Sequence, residues 1–584
     1  MRLAMLLSLT FASASALADD LAKFAQLEIR AAGDQPAEDP SGERASTRNN
    51  FLDFADYSPQ GFARAMAAQK ALLKDLHNID QSRLPHDMQV SYDAIKWDAE
   101  RTLDREPYAL LQFPYTPYEF LFRGPNRLLT DFTFANDKDA DVYLKLASGY
   151  ATAIASILRQ LDTQEAANIR VPREVAANVR TQFAAYAQPA PESFAWPDDS
   201  RLRSLTARRR EMFRKALSRI IEGDMNSALR RLSDRFGEEY QNKAPDRYGL
   251  AQYPGGKEYY KVLIRYRLTL ERTPEQLYAD SQAALDRIES ELRQLRAEMD
   301  YFGPRAPFDR QLASDPRFTA KTPTDVERTY LEYMSRIDPF MPKLFCHSAP
   351  YGYGVQRATA EQEAALTFGY ANTETKPVMR GMYYYNGSHL DQRSLLPAQA
   401  LIYHELAPGH YWQAAMSWIS KSLTQYPRRS NAFAESWGDF AQLLAYEQGV
   451  FKTPAEKYGR RMFNAMFHAR ALTDIGINYF GYDFSWGMKV LSRYTFESEL
   501  QNAASLRRDT TDWQAQILPY SFGSEELLRM RERVRFALGG KFDEARFYDA
   551  VLSQGSIAFP VLDSHLTWFI DREKEGGAPG ICAN

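Results

Sequence analysis

Apolar residues along most of this chain recur at three- and four-residue intervals, the period that lines one face of a helix. The clearest stripe is Leu277, Ala284, Leu285, Ile288, Leu292, Leu295 and Met299. It follows Thr273-Pro274-Glu275-Gln276, which offers a capping threonine, a first-turn proline and a reciprocal glutamine. Thr322-Pro323-Thr324-Asp325 predicts a second helix of the same kind, running towards Arg336, and residues 201–235 read as helix with an arginine-rich outer face. Alternating, strand-like pattern is sparse. Its best instance is Val378–Asn386, around Gly381-Met382-Tyr383-Tyr384-Tyr385. Loops are expected at 186–200, 301–316 and 346–354, and no repeat or low-complexity tract interrupts the chain. The pattern predicts a mostly α fold with a small β-ribbon. Its expected partition is a leader at 1–18, an N-terminal helical lobe at 19–250 and a C-terminal lobe at 251–584, joined without a flexible linker into one body.

Composition narrows the class. A chain of 584 residues, 45% hydrophobic and 25% charged, is long and apolar enough for a large folded core. The formal net charge of -3 provides no basic field for nucleic acid. Arg2, the apolar run Leu3–Ala14 and Ala16-Leu17-Ala18 before Asp19 have the order of a cleaved export signal, with cleavage expected after Ala18. That run is short for a membrane span, and the residue directly after the expected cleavage point is Asp19 rather than cysteine, so a soluble, periplasmic or secreted product without a membrane anchor is expected. The two cysteines, Cys346 and Cys582, either pair in an oxidising compartment or stay apart; the spacing does not decide.

The chemistry concentrates in His404-Glu405-Leu406-Ala407-Pro408-Gly409-His410. Two imidazoles that share a metal on one helix stand four residues apart. Here they stand six apart, roughly 240° around a straight helix, on the wrong side. They can converge only if the helix is interrupted, and Pro408-Gly409 is suited to that, with two residues looped out as a bulge. A catalytic zinc takes three protein ligands and keeps one position open. Glu435, in Asn431-Ala432-Phe433-Ala434-Glu435-Ser436-Trp437-Gly438-Asp439, is the candidate third ligand. Asp439, one turn on, is the candidate acceptor for the far ring N–H of a liganding histidine. Glu405, next to the first ligand, is the candidate general base. Zn²⁺ suits two imidazoles and a carboxylate better than magnesium or calcium do. His77, His86, His347, His389, His468 and His565 lack such a pattern and read as ordinary core or surface histidines.

These blocks resemble the bacterial DUF885 family, which carries H-E-x-x-P-G-H and then F-x-E-G-W, with Ser436 here in place of the second motif's glycine. Arg470 with Asp474-Ile475-Gly476-Ile477-Asn478 is similar to the family's arginine and D-x-G-x-H, Asn478 standing for the histidine. Tyr520-Ser521-Phe522-Gly523, Arg531, Gly539–Asp543 and Ser553–Leu562 complete the likeness, which runs over about 45–570. The resemblance implies a cleft-containing helical fold like that of the M3 zinc peptidases, with M32 as a further relative. It also implies His404, His410 and Glu435 as ligands, Glu405 as base, and Tyr520 as donor to the oxyanion. Asn478 would then supply an uncharged donor where the family has a histidine. Arg470 and Arg531 are candidates for a substrate carboxylate, or else internal ion pairs. Tyr383 and Tyr384 are candidates for an edge strand that pairs with a peptide, or else core.

The expected activity is a periplasmic zinc-dependent peptidase acting on short peptides. The alternatives are a metal-stabilised, non-catalytic protein that binds a peptide or cell-wall fragment, and a metallohydrolase of a non-peptide amide.

Overall fold

The structure is a computed structural model that describes residues 20–32, 54–116, 124–347, 352–359, 363, 369–372, 380–419 and 430–577. The expected leader and Cys582 lie outside the described residues. Cys346 is disulfide-bonded, and Cys582 is the chain's only other cysteine.

The described chain is mostly helical, with one small sheet. The two helix starts anticipated from sequence carry full capping boxes: Thr273 with Gln276 opens Pro274–Glu298, and Thr322 with Asp325 opens Pro323–Ile337. Two more boxes, Thr453 with Glu456 and Ser498 with Gln501, open Pro454–Ile475 and Glu499–Thr511. Each satisfies two backbone donors that a helix N-terminus otherwise leaves open. The segment 201–235 is helical only from Ala207, and a π turn at Ile220–Met225 divides it. The expected loop at 301–316 contains a helix, Arg305–Ala313, which starts directly after Pro304 and buries Phe308 and Leu312. Its apolar positions are too few for periodicity to reveal it.

Pro454–Ile475 organises the interior. Nearly all its residues are buried, the charged Arg460, Arg470 and Asp474 among them. Tyr458, Met462, Ala465, Ala469 and Leu472 join one apolar cluster, which gathers most of the buried apolar side chains of residues 115–248. Phe463, Met466, Phe467, Ala471 and Ile475, on another face, join a second cluster that runs from Phe24 to Ile570 and includes Tyr403, Trp437 and Phe522. The helix thus stands between two cores, and the candidate chemistry lies on the side of the second.

The sheet has strand order β1-β3-β2, with β1 at Tyr353–Arg357, β2 at Gly369–Asn372 and β3 at Gly381–Tyr385. β3 pairs parallel with β1 and antiparallel with β2. The strand anticipated as an edge is therefore the central one. Its burial alternates: Tyr383 and Tyr385 are inside, Met382 and Tyr384 half-buried, the two-residue period of a strand. Tyr383 packs edge-on against Tyr330 of Pro323–Ile337, at 5.2 Å and 67°.

His468, also on Pro454–Ile475, is a buried histidine whose Nδ1 has no partner. Burial, with repulsion from Arg287 and Arg461, pushes its pKa down to about 3. A base depressed in the fold contributes stability above its unfolded pKa, near 6.5, that is lost as pH falls towards the folded value. Between pH 6.5 and 4 this amounts to about 3 kcal/mol. His468→Gln is expected to flatten the acid side of a melting-temperature profile over that window. A variant profile parallel to that of the wild type would contradict the assignment.

Candidate metal centre

The first histidine helix, Ala398–Glu405, stops at Leu406, whose φ of -103° and ψ of -100° leave the helical region. A new helix, His410–Ile419, begins at the second histidine. The interruption anticipated at Pro408-Gly409 is thus a complete break between two helices rather than a bulge within one. The Ala407–Pro408 peptide is cis. Leu406 O accepts from Trp412 N at 3.1 Å and Gly409 O from Gln413 N at 2.9 Å, so the turn's carbonyls start the new helix. Gly409 lies so close to the end of the first helix that a Cβ there would stand 1.9 Å from the His404 carbonyl oxygen. Trp437 Nε1 donates to Pro408 O at 2.8 Å, pinning the turn to the helix Asn431–Glu447.

The break brings the two rings together. Their centroids are 4.6 Å apart at 80°. Glu435, from Asn431–Glu447, closes the triangle: its Oε2 is 3.6 Å from His404 Nε2 and 3.3 Å from His410 Nε2. One donor atom from each of the three residues lies within 4.8 Å of the others. Burial opposes the charge on Glu435, but hydrogen bonds and charge from His404 and His410 outweigh it and hold the carboxyl well below its usual range. Burial likewise opposes protonation of His410, and there Glu435 and Glu405 outweigh it and raise the imidazole pKa. The pocket favours positive charge at this point, which is the electrostatic requirement of a cation site.

His404 is held by packing. Its ring stacks on Tyr520 at 5.8 Å and 3°, on Phe467 at 6.1 Å and 29°, and meets Phe463 edge-on at 6.1 Å and 80°. Gly438 lies behind the ring, where a Cβ would come within 2.7 Å of His404 Cε1 and 2.8 Å of Nε2. Gly438→Ala is therefore expected to push the ring off its line to Glu435. Metal affinity should fall ~10–100-fold, as when the support of a ligand is lost. A zinc titration of the folded variant that matches the wild type would refute this.

Glu405 ends the first helix beside the triangle. Burial raises its pKa, moderated by His410 and His404. Its Oε2 accepts from Ala371 N at 3.1 Å. Because β3 lies on the other side of β2, this N–H points off the side on which no strand pairs among the described residues. The hydroxyl of Tyr520, on the π turn Pro519–Gly523, is near Glu435. Burial and then the Glu435 charge push its pKa well up, so it remains a hydrogen-bond donor. Ser436 Oγ shares its proton between Ala432 O at 2.5 Å and Pro519 O at 2.9 Å, and the second contact ties the tyrosine turn to the glutamate helix. It is a role that a glycine at this position lacks.

Other expected site residues are placed differently. Asp439 is buried near His404, and burial pushes its pKa up to about 6. Its Oδ1 accepts from Gln442 and Asn464, at 3.3 and 3.4 Å, while His404 Nδ1 is buried without a partner. The anticipated contact between them is not made. Asn478 is fully buried. Its amide donates to Asp474 Oδ1 at 2.7 Å and to the carbonyls of Asp474 and Asp509, and its oxygen accepts from Leu250 N. No donor remains for a transition state, so Asn478 is a structural bridge. Arg470 makes a two-pronged pair with Asp509 at 2.8 and 2.9 Å. Arg531 does the same with Glu447 at 2.7 and 2.8 Å. Both arginines are internal ion pairs. Tyr383 has no exposed surface, and Tyr384 is half-buried and stacks on Tyr370 at 5.2 Å and 20°.

Sequence reading passed over Gly438, Trp437, Phe463, Phe467 and Ala371. The first two lie within the Glu435 block, where a glycine one turn after a ligand is the available signal. The others have none, because they reach the site only through tertiary packing.

A family model described as "Bacterial protein of unknown function (DUF885)" matches residues 48–566. No functionally curated protein matches the chain. Solved structures that share its fold include two described as lipoproteins. One, "the putative lipoprotein from Colwellia psychrerythraea", superposes with a TM-score of 0.81 at 19% identity, covering 94% of this chain and 98% of that one. The other, from Shewanella oneidensis and described as "a putative lipoprotein of unknown function", gives 0.70 at 17% identity, covering 95% and 98%. At those identities the likeness concerns fold alone. No helix among the described residues is long and apolar enough to cross a membrane.

Proposed function

We propose that this chain, which belongs to the DUF885 family, is an exported zinc-dependent hydrolase of peptide bonds in short peptides. The observation that carries the reading is the convergence of His404, His410 and Glu435 within 4.8 Å beside a buried carboxylate, Glu405, that is not one of the three. The donor set of two imidazoles and one carboxylate suits zinc. The space that Gly438 leaves for the His404 ring supports the fit, as does the surplus of negative charge from Glu405 and Glu435. When bound, the ion would supply Lewis acidity and lower the pKa of a water molecule it holds.

The protein's own groups account for the rest. Glu405 takes a proton from the attacking water and delivers it to the leaving amine. Its raised pKa suits both duties, since a stronger acid would take the proton less readily. The Ala371 N–H fixes the carboxylate's orientation through Oε2. Tyr520, kept protonated and stacked on His404, would donate to the oxygen that gains negative charge. A peptide is favoured over other amides because, among the described residues, no strand pairs with the side of β2 that faces Glu405. An extended backbone can pair with such an edge while its amide faces the site.

The test is metal content together with cleavage of a peptide library. Zinc-loaded protein is expected to hold one ion and to cleave, and chelation is expected to abolish cleavage. Loaded protein that cleaves no peptide would instead support a binding role.

A further inference from the structure

Arg470 and Arg508 both act electrostatically on Tyr520, but they differ in how they are neutralised. Arg470 takes both oxygens of Asp509 with its fork. Arg508, on the same helix as Asp509, has only a distant contact: its Nε is 3.9 Å from Asp509 Oδ1. No described residue accepts a hydrogen bond from its guanidinium, and its Nε is buried without a partner. The group lies on the face of Trp513, 5.0 Å from the ring centroid, and 29% of the side chain remains exposed. A second acid, Glu497, is also near enough to interact with both arginines, yet its Oε2 is itself buried without a partner. A planar cation, stacked on an indole, with its donors unused and partly open to solvent, is a receptor for a planar anion.

We infer that Arg508 is a specificity-determining residue that receives a carboxylate of the substrate beside the candidate metal centre. This deepens the peptidase reading and rests on it: the substrates would be peptides with a free carboxylate close to the bond that is cut. The carboxylate is supplied either by the peptide's C-terminus or by an Asp or Glu side chain. The two arginines expected from sequence to serve this purpose, Arg470 and Arg531, are already paired, whereas Arg508 is not.

The experiment measures binding by calorimetry to zinc-loaded Glu405→Gln protein, in which turnover is blocked. The probes are N-acetyl-trialanine, its C-terminal amide, and an amidated tripeptide with a central aspartate. At least one acid probe is expected to bind ~10-fold or more tightly than the neutral amide, as expected of a hydrogen-bonded charge. Preference for the first acid identifies the C-terminus, and preference for the aspartyl probe identifies a side chain. The preference should vanish in Arg508→Met. If that variant does not fold, Arg508→Lys, which keeps the charge and removes the fork, should bind the acid severalfold more weakly than Arg508 does. Equal binding of acid and amide, no binding of any probe, or a preference that survives the Arg508 substitution would overturn the inference. Cleavage by wild-type protein is scored separately. Cleavage without acid preference removes the Arg508 role and leaves the peptidase. Acid preference without cleavage keeps the receptor and removes the peptidase.

Discussion

Glu405→Gln is expected to lower kcat/KM for every peptide substrate by about 10²–10⁴-fold while leaving zinc bound. The two side chains have nearly the same shape, and the glutamine oxygen can still accept from Ala371 N–H, the contact that orients Glu405 at 3.1 Å. None of the three candidate ligands is touched. What disappears is a group that can hold and release a proton. The loss should appear in kcat, and the acid side of the rate profile, set by ionisation of the base, should disappear with it. Steady-state kinetics and metal analysis on the same preparation check both halves. A variant that hydrolyses peptides at the wild-type rate would exclude Glu405 as base. A variant that lost zinc would mean that Glu405 belongs to the ligand set.

The second large effect is expected from Glu435→Gln. Glu435 is the only one of the three candidate ligands that carries negative charge, and its Oε2 faces both His404 Nε2 and His410 Nε2. The amide keeps the volume but removes the charge, and zinc affinity should fall more than ~100-fold, beyond the loss typical of a residue that only supports a ligand. A competition titration against a chelator of known affinity measures this. The pH dependence has a definite sign. The pKa of His410 is raised in the metal-free protein, and a proton there competes with the ion. Wild-type zinc affinity should therefore rise with pH through the region above pH 6.5 and level off once the ring is neutral. In Glu435→Gln the larger part of the elevation is removed, leaving only that from Glu405, so the plateau should begin at lower pH. An unchanged affinity in the variant would remove Glu435 from the site.

Both predictions use residues visible in the linear sequence, and the reason is local. His404, Glu405 and His410 belong to one short motif, and the break that brings the rings together is written into Pro408-Gly409. The capping boxes at Thr273 and Thr322 are local too, since donor and acceptor lie within one turn. The helix Arg305–Ala313 escaped notice because a segment of that length has too few apolar positions to display a period. β3 was recognised as a strand, but its place between β1 and β2 depends on chain segments that only the fold assembles.

The arginines make the same point about function. Arg470, Arg508 and Arg531 are chemically identical in a sequence. Asp509 and Glu447 neutralise two of them, and neither pairing follows from sequence spacing. Asn478 resembled a substituted catalytic residue until its amide was found to be spent on Asp474 and Asp509.

The sequence by itself determined the helical class, the helix starts at Thr273 and Thr322, the identity of the candidate ligands and base, and the need for a break between His404 and His410. These follow from backbone chemistry and periodicity within a few residues. Tertiary structure alone decided that Glu435 closes the triangle, that Gly438 makes room for the His404 ring, that Ala371 holds Glu405, and that Arg508 makes no hydrogen-bonded ion pair among the described residues. Each of those depends on which distant groups share a buried space. There, unpaired charge and atomic overlap are costly, and packing settles which donors are used and which stay free.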